Sequence, residues 1–436
     1  MRGGSASGAG VGALDERSVD SVFRDSWWPA VAAVAANVHD LELAEDAVQD
    51  ACLAALNQWV EDGIPANPKA WLVGVARNKA IDRIRREALR PAKEAAAIEP
   101  SAAQPTQDAL AMIDEQLALI FTCCHPSLEL PTRVALTLRS VCGLSTAEIA
   151  AAFLVPEATM AKRLVRGKHK IRDAGISFRV PAPGALQGRL NGVLKTIYLI
   201  FTAGHLAPSG QRLVRDDLCD SAIRLAREMF HMLPDEAEVE GLLALLLLTD
   251  ARRSARTAMD EQMVLLEDQD RQLWDASKIT DGLSLLNEAL LRRRPGPYQL
   301  WAAITACHME ARTPAETDWR EIVGLYDALL TYEGTDMVRA NRAVAVAMLD
   351  GPAVGLSILD SLRTNPQMEN WPQLHIARAE LLRRVGRTSD AAHAYRHALT
   401  LESSLAVKSH IKRRLAGVQP GDTSSGRDGG VAQLWS

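Results

Sequence analysis

The chain is 436 residues long, 47% apolar and 24% charged, with a formal net charge of −5. Such a length and composition describe a soluble globular protein of about two to four domains, and the net charge by itself argues against a simple nucleic-acid binder, although the charge is unevenly placed along the chain. The longest apolar run, Leu242 to Leu248, is far too short to span a bilayer, and the Gly/Ala/Ser-rich start carries no apolar signal region. A cytoplasmic location without membrane contact is expected. The cysteines (Cys52, Cys123, Cys124, Cys142, Cys219 and Cys307) form no C-x-x-C pair, so free thiols are expected rather than disulfides or zinc. Cys123-Cys124-His125 is no exception, because adjacent cysteines do not readily share one tetrahedral ion. No metal and no cofactor is expected.

From the N-terminus onward, nearly every periodic segment has helical spacing, and Ala, Leu, Arg and Glu dominate. An all-α protein is predicted. Residues 1–17 are expected to be disordered. The first helical block, 18–90, has three features. Between Asp40 and Asp62 stand seven carboxylates and no Lys or Arg. On a helix Asp46, Gln49, Asp50 and Leu53 share one face, with Val48, Cys52 and Ala55 turned to the core. An apolar Leu among acids and an amide suits a basic partner helix, although an ordinary solvated face satisfies the same spacing. The second feature is a basic helix: Asn67 and Pro68 give an N-cap followed by proline at the first helical position. Val73, Ala76, Ala80 and Ile84 form its predicted buried stripe. Trp71, Asn78, Asp82 and Arg85 lie opposite, flanked by Lys79 and Arg86, with Arg77 and Arg83 adding charge. Cations for phosphate, Asn for a base edge and Trp to stack or wedge make a nucleic-acid surface. In the alternative, Trp71 packs beneath the preceding helix and the arginines are merely solvated. The third feature is the loop Gln58 to Asn67, with Gly63 and Pro65, placed to wall a pocket for an unstacked base.

Residues 91–107, with Pro91, Pro100 and Pro105, read as a linker. In the block 108–177, Ser145 and Glu148 form an S-x-x-E capping box that opens a short helix. After a turn, Pro156 starts a second helix anchored by Met160, Leu164 and Ile171. Lys162, Arg163, Arg166, Lys168, Lys170 and Arg172 project from it against a single acid, Glu157. A helix-turn-helix presents its recognition helix in this way; a basic surface helix in a bundle is the alternative. Helical segments follow over 186–300 and 301–417, and the tail 418–436 is expected to be disordered. Ala379, Gly386, Ala391, Tyr395 and Ala398 fit the pattern of a tetratricopeptide repeat, with a weaker copy over Val338 to Leu362. His205, His231, His308 and Trp274 read as core or rim residues. No nucleophile elbow, phosphate loop, H-E-x-x-H or Gly-rich fingerprint is present, so no enzyme is expected.

The first two blocks resemble extracytoplasmic-function (ECF, group IV) sigma factors of the sigma-70 family. Residues 41–56 (LELAEDAVQDACLAAL) look like the acidic helix that grips the polymerase clamp. Residues 71–86 (WLVGVARNKAIDRIRR) look like the helix that binds and opens the −10 element, and residues 144–172 like the reader of the −35 element. The resemblance implies polymerase contact for Asp46, Gln49, Asp50 and Leu53. It implies −10 contact and melting for Trp71, Arg77, Asn78, Asp82 and Arg85, with Lys79, Arg83 and Arg86 beside them. For the −35 element it implies Thr159, Ala161, Lys162, Arg163, Val165 and Arg166, with Lys170 flanking. Leu154 stands where family members usually carry glycine, and a left-handed Leu there costs about 1 kcal/mol. The expected architecture is two small helical sigma domains, region 2 over 18–90 and region 4 over 108–177, followed by a helical, partly tetratricopeptide-like regulatory extension. The implied partners are core RNA polymerase (clamp and flap), promoter DNA, and a protein or ligand for the extension. The alternative is a helix-turn-helix regulator with a sensing repeat domain, which has no use for an acidic clamp face.

Overall fold

The computed structural model describes residues 16–88, 109–153, 155–206, 214–258, 262–402 and 404–418. Residues 1–15, the linker predicted over 91–107, Leu154 and the tail beyond 418 lie outside the described residues. Among the described residues the chain is helical throughout. Among these residues no strand forms, and their β-type pairing is an isolated bridge between Thr257 and Met263. The all-α expectation holds. The chain divides into two compact units, Met1–Thr196 and Ile197–Ser436.

In the first unit, α1 (Glu16–Val38), α2 (Leu41–Asp62) and α3 (Pro68–Ala88) pack against one another. Their core is small and tight: Val31, Val34, Ala44, Val48, Ala55, Trp59, Leu72 and Ala76 are all at most 2% exposed. The breaks between these helices are written locally. Asp40 caps α2 by accepting from the backbone N–H of Glu42 (2.9 Å) and Leu43 (3.1 Å). Asn67 caps α3 by accepting from Ala70 N (3.1 Å), with Pro68 as the first helical residue.

The predicted buried stripe of α3 needs correction. Leu72, Ala76 and Ala80 are buried, Val73 is only half-buried, and Ile84 is 42% exposed. The stripe runs i, i+4, i+8 from Leu72, and α3 turns its outer half to solvent beyond Ala80.

Helix α4 (Ala109–Cys123) packs on α1, and α5 (Leu130–Leu136) widens into a π turn over Thr137–Val141. The helix-turn-helix follows as α6 (Thr146–Phe153) and α7 (Glu157–Asp173). The capping box is reciprocal: Ser145 N donates to Glu148 Oε2 at 2.7 Å, and Glu148 N donates to Ser145 Oγ at 3.2 Å. Met160, Leu164 and Ile171 seat α7, each at most 5% exposed. Helix α8 spans Pro183–His205, and its residues up to Thr196 group with the first unit.

The second unit is a succession of packed helices. Helices α9 (Asp216–Met232), α10 (Ala237–Asp250), α11 (Ala276–Leu291) and α12 (Pro297–Glu310) come first. The run Leu242–Leu248 lies in α10, which is buried nearly all round; its apolar character serves a protein core. No described helix is long and apolar enough to cross a membrane. Polar groups at the ends of α10 are paired: Asp250 with Arg253 (2.7 Å) and Lys278 (2.8 Å), and Glu240 with Arg292 (2.8 Å). The segment after α10, predicted helical, instead makes short 3-10 turns at Arg253–Ala255, Leu266–Asp268 and Arg271–Leu273.

Then come α13 (Trp319–Tyr332), α14 (Asp336–Asp350), α15 (Pro352–Leu362), α16 (Pro366–Glu369), α17 (Pro372–Arg384), α18 (Thr388–Leu401) and α19 (Leu405–Ala416). Consecutive members pack as pairs, α14 on α15 and α17 on α18. Gly386 takes φ +77 at the turn between α17 and α18, a left-handed geometry that an L side chain resists. Ala379, Ala391, Tyr395 and Ala398 form the buried seam of that pair.

Candidate polymerase and nucleic-acid interfaces

The acidic face of α2 is open. Gln49 and Asp50 are exposed, and Leu53 and Leu56 are 55% and 48% exposed. Val48 and Ala55 are buried on the other side, as their spacing predicts, and Cys52 is half-buried. Burial pushes the Cys52 thiol up to about 11, so it stays protonated near neutrality. Asp46 pairs with Arg83 of α3 at 2.8 Å. One residue read as polymerase-facing and one read as DNA-facing are therefore joined, and the two faces meet along the α2–α3 seam.

On α3, Asn78, Asp82, Arg85 and Arg86 are exposed, and Lys79 is half-buried. Arg86 Nε donates to the Asp82 backbone carbonyl at 3.2 Å. Arg77 is held by Glu115 of α4 at 3.3 Å; burial raises the Glu115 pKa, and the Arg77 charge opposes it. Trp71 is half-buried, with its ring edge-on to Trp59 at 5.4 Å between centroids. Each sequence alternative thus describes part of it, because Trp71 packs against α2 while keeping an open side. Sequence reasoning missed Ile81 and Ile84, which are 38% and 42% exposed. Only Ile81 was readable, since it lies off the Leu72–Ala76–Ala80 stripe; Ile84 continues that stripe one step further, and its spacing points to burial.

On α7, Thr159, Lys162, Arg166 and Lys170 are exposed and Val165 is 41% exposed. Arg163 is half-buried, its guanidinium over the Phe153 ring at 5.4 Å. Lys168, grouped in sequence with the outward cations, points instead toward α2.

That last contact joins the two helical modules, and no sequence signal announced it. Glu45 of α2 is 2% exposed. It accepts from Lys168 Nζ at 2.6 Å and Ser140 Oγ at 2.5 Å, with Arg139 Nε at 3.6 Å. Asp40 and Arg172 pair nearby at 3.7 Å. Arg139 also lies over the Trp27 ring at 5.6 Å. Gly143, at φ +74, meets the same ring, and a Cβ there would lie 3.2 Å from Trp27 Cδ1. A buried carboxylate with two cations and a hydroxyl is a satisfied polar cluster; with any one partner removed, it is a costly one.

Comparison with known proteins is informative at this point. Residues 27–90 match the family Sigma-70 region 2, and residues 118–171 match Sigma-70, region 4. The chain belongs to the sigma-70 family. Its α1–α3 bundle is the region 2 module and its α4–α7 segment the region 4 module of a sigma factor acting in promoter recognition. Residues 189–290 match a family of unknown function (DUF6596). An uncharacterised protein of Rhizobium meliloti (strain 1021) is 40% identical over 392 residues, covering 88% of this chain and 92% of its own length. So broad an alignment extends well into the C-terminal half, and the sigma modules and the helical extension are shared together. No solved structure matches the chain. The family's partners are core RNA polymerase and promoter DNA, which gives the open faces of α2, α3 and α7 their chemical context.

Proposed function

We propose that this sigma factor is of the ECF type, works in the cytoplasm without catalysis of its own, and carries its regulator as the C-terminal helical, partly tetratricopeptide-like extension. In this reading region 2 spans 18–90 and region 4 spans 108–177, joined by a linker over 91–107. The extension comprises 186–300 and the repeat-like helices of 301–417.

Helix α2 docks on the polymerase clamp through Asp46, Gln49, Asp50 and Leu53. Helix α3 engages the −10 element: Lys79, Arg83, Arg85 and Arg86 meet phosphates, Arg77, Asn78 and Asp82 orient the separated strand, and Trp71 wedges the upstream edge of the opening. Helix α7 reads the −35 element through Thr159, Lys162, Arg163, Val165 and Arg166, with Lys170 on the backbone, while the module contacts the flap. Opening needs no chemistry. A trapped, unstacked strand offsets an unstacking cost of a few kcal/mol per step, and two tethered modules multiply weak contacts by effective concentration.

The observation that carries this reading is the pair of oppositely charged open faces on adjacent helices. Leu53, more than half exposed, lies with Gln49 and Asp50 on the open face of α2, and Asn78, Asp82 and Arg85 are exposed on α3. A helix-turn-helix regulator has no need for the first face. Charge reversal at Asp50 (Asp50→Lys) is therefore decisive. It is expected to abolish association with core polymerase and run-off transcription while the fold is retained. Unchanged polymerase binding would refute the clamp assignment.

A further inference from the structure

We propose that the C-terminal unit holds a site for a borderline divalent transition-metal ion, of which Zn2+ is the type, formed by Glu369, His375 and His397. The three residues come from three elements: the last residue of α16, the first turn of α17 and the last two turns of α18. One ring nitrogen from each histidine and one Glu369 oxygen all lie within 4.8 Å of one another. The two imidazole rings stand 4.3 Å apart between centroids and nearly perpendicular. Glu369 Oε1 is 4.0 Å from His397 Nε2.

Two independent features mark this group as more than a chance cluster. The first is that His397 Nε2 is buried and has no hydrogen-bond partner. A ring nitrogen shut away from water without a partner is a standing cost that a bound cation removes. The second is the support around the donors. His375 Nε2 donates to the backbone carbonyl of Glu369 at 2.7 Å, which fixes the tautomer and leaves Nδ1 with the lone pair. Such an outer bond is characteristic of ligating histidines. Arg363 grips the Glu369 carboxylate with Nε and Nη2, both at 3.0 Å. That grip orients the carboxylate.

Two imidazoles and a carboxylate are a donor set that suits Zn2+, with a fourth position left for water. Tetrahedral bonds of about 2.0–2.1 Å place donors about 3.3 Å apart, so the three side chains draw inward on binding. The ion would clip α16, α17 and α18 together at one end of the α17–α18 pair. The sequence held no sign of it. The histidines lie on different helices, and neither belongs to a recognisable ligand spacing.

The test uses the purified full-length chain, stripped with a chelator and titrated with Zn2+ alone at neutral pH by calorimetry. One ion per chain is expected, with a rise in the thermal midpoint. His397→Ala and His375→Asn are each expected to weaken binding about tenfold or more, while His231→Asn, at an exposed histidine of α9, leaves it unchanged. Co2+ in place of Zn2+ gives a second readout, because four-coordinate N/O ligation yields intense visible bands. Absence of stoichiometric Zn2+ binding by the unaltered chain would overturn the assignment without any variant needing to fold. So would binding that survives both substitutions, or Co2+ spectra showing thiolate charge transfer or only the weak bands of a hexa-aquo ion. The outcome is independent of promoter recognition, which is read by transcription and not by metal binding.

Discussion

Replacing Glu45 by glutamine (Glu45→Gln) is expected to loosen the packing between the region 2 and region 4 modules. The side chains of Glu45 and Lys168 are 3% and 15% exposed and lie 2.6 Å apart, with Arg139, 22% exposed, at 3.6 Å. Removing one partner of a wholly buried pair costs about 3–5 kcal/mol. Lys168 retains a little hydration and a long stem that can swing outward, and the amide still accepts one hydrogen bond from Ser140, which brings the expected loss to about 2 kcal/mol. That corresponds to a roughly 30-fold shift in the opening equilibrium. Hydrogen exchange reads it directly. Amides of the Thr137–Val141 turn and of the last turns of α7 should exchange roughly 30-fold faster, while those of α10 in the other unit keep their wild-type rates. Lys168→Met should act in the same direction. A double-mutant cycle over the pair should return a coupling of about 2 kcal/mol. If exchange in the π turn is unaffected by Glu45→Gln, or the coupling lies within the error of zero, the carboxylate is not what holds the modules together.

Further outcomes follow from other residues. Trp71→Phe should keep an edge contact with Trp59 and cost less than about 1.5 kcal/mol of stability, while permanganate reactivity of the melted promoter strand falls sharply; retained strand opening would remove Trp71 from the wedge role. Gly143→Ala places a Cβ 3.2 Å from Trp27 Cδ1 at a backbone φ of +74 and should cost about 1–2 kcal/mol, read as a lowered denaturation midpoint. Ser145→Ala removes half of the capping box of α6 and should cost about 1 kcal/mol, whereas Ser145→Asp should restore most of it. The C-terminal unit should be acid-sensitive through His308 and His410. Burial, with nearby arginines, lowers their pKa values to about 3 and about 4 from an ordinary 6.5. The unfolded chain therefore takes up protons that the folded chain refuses. The stability these rings contribute is complete above about pH 6.5 and is lost as pH falls toward 3–4. Urea midpoints measured across that window should decline, and His308→Gln should flatten the decline; a pH-independent midpoint would contradict the burial of these rings.

Much of the local structure was legible in the residues themselves. Asn67-Pro68 and the Ser145–Glu148 box mark helix starts because capping is decided within four residues of chain. The open face of Gln49, Asp50 and Leu53 follows from helical period alone, as does the seating of α7 by Met160, Leu164 and Ile171. Period also misled, at Ile84: a stripe predicts which residues line up along a helix, and the partner's length decides where that stripe stops being covered. Trp71 sat between two readings for the same reason, since only the position of Trp59 on the neighbouring helix determines how much of its ring is taken.

The chain's own order of residues therefore determined an all-α protein, the starts of α3, α6 and α7 and much of the outward chemistry of α2, α3 and α7, all properties set by short-range geometry and side-chain period. Tertiary structure alone decided which of the many charges are spent inside the molecule. Glu45 is one acid among seven in its stretch, and Lys168 one cation among six on its helix. Nothing within either segment distinguishes them, because the pairing depends on two helices more than a hundred residues apart in the chain arriving at the same place. The meeting of Glu369, His375 and His397 has the same origin: three side chains on three helices, brought together by how those helices pack and by no spacing along the chain.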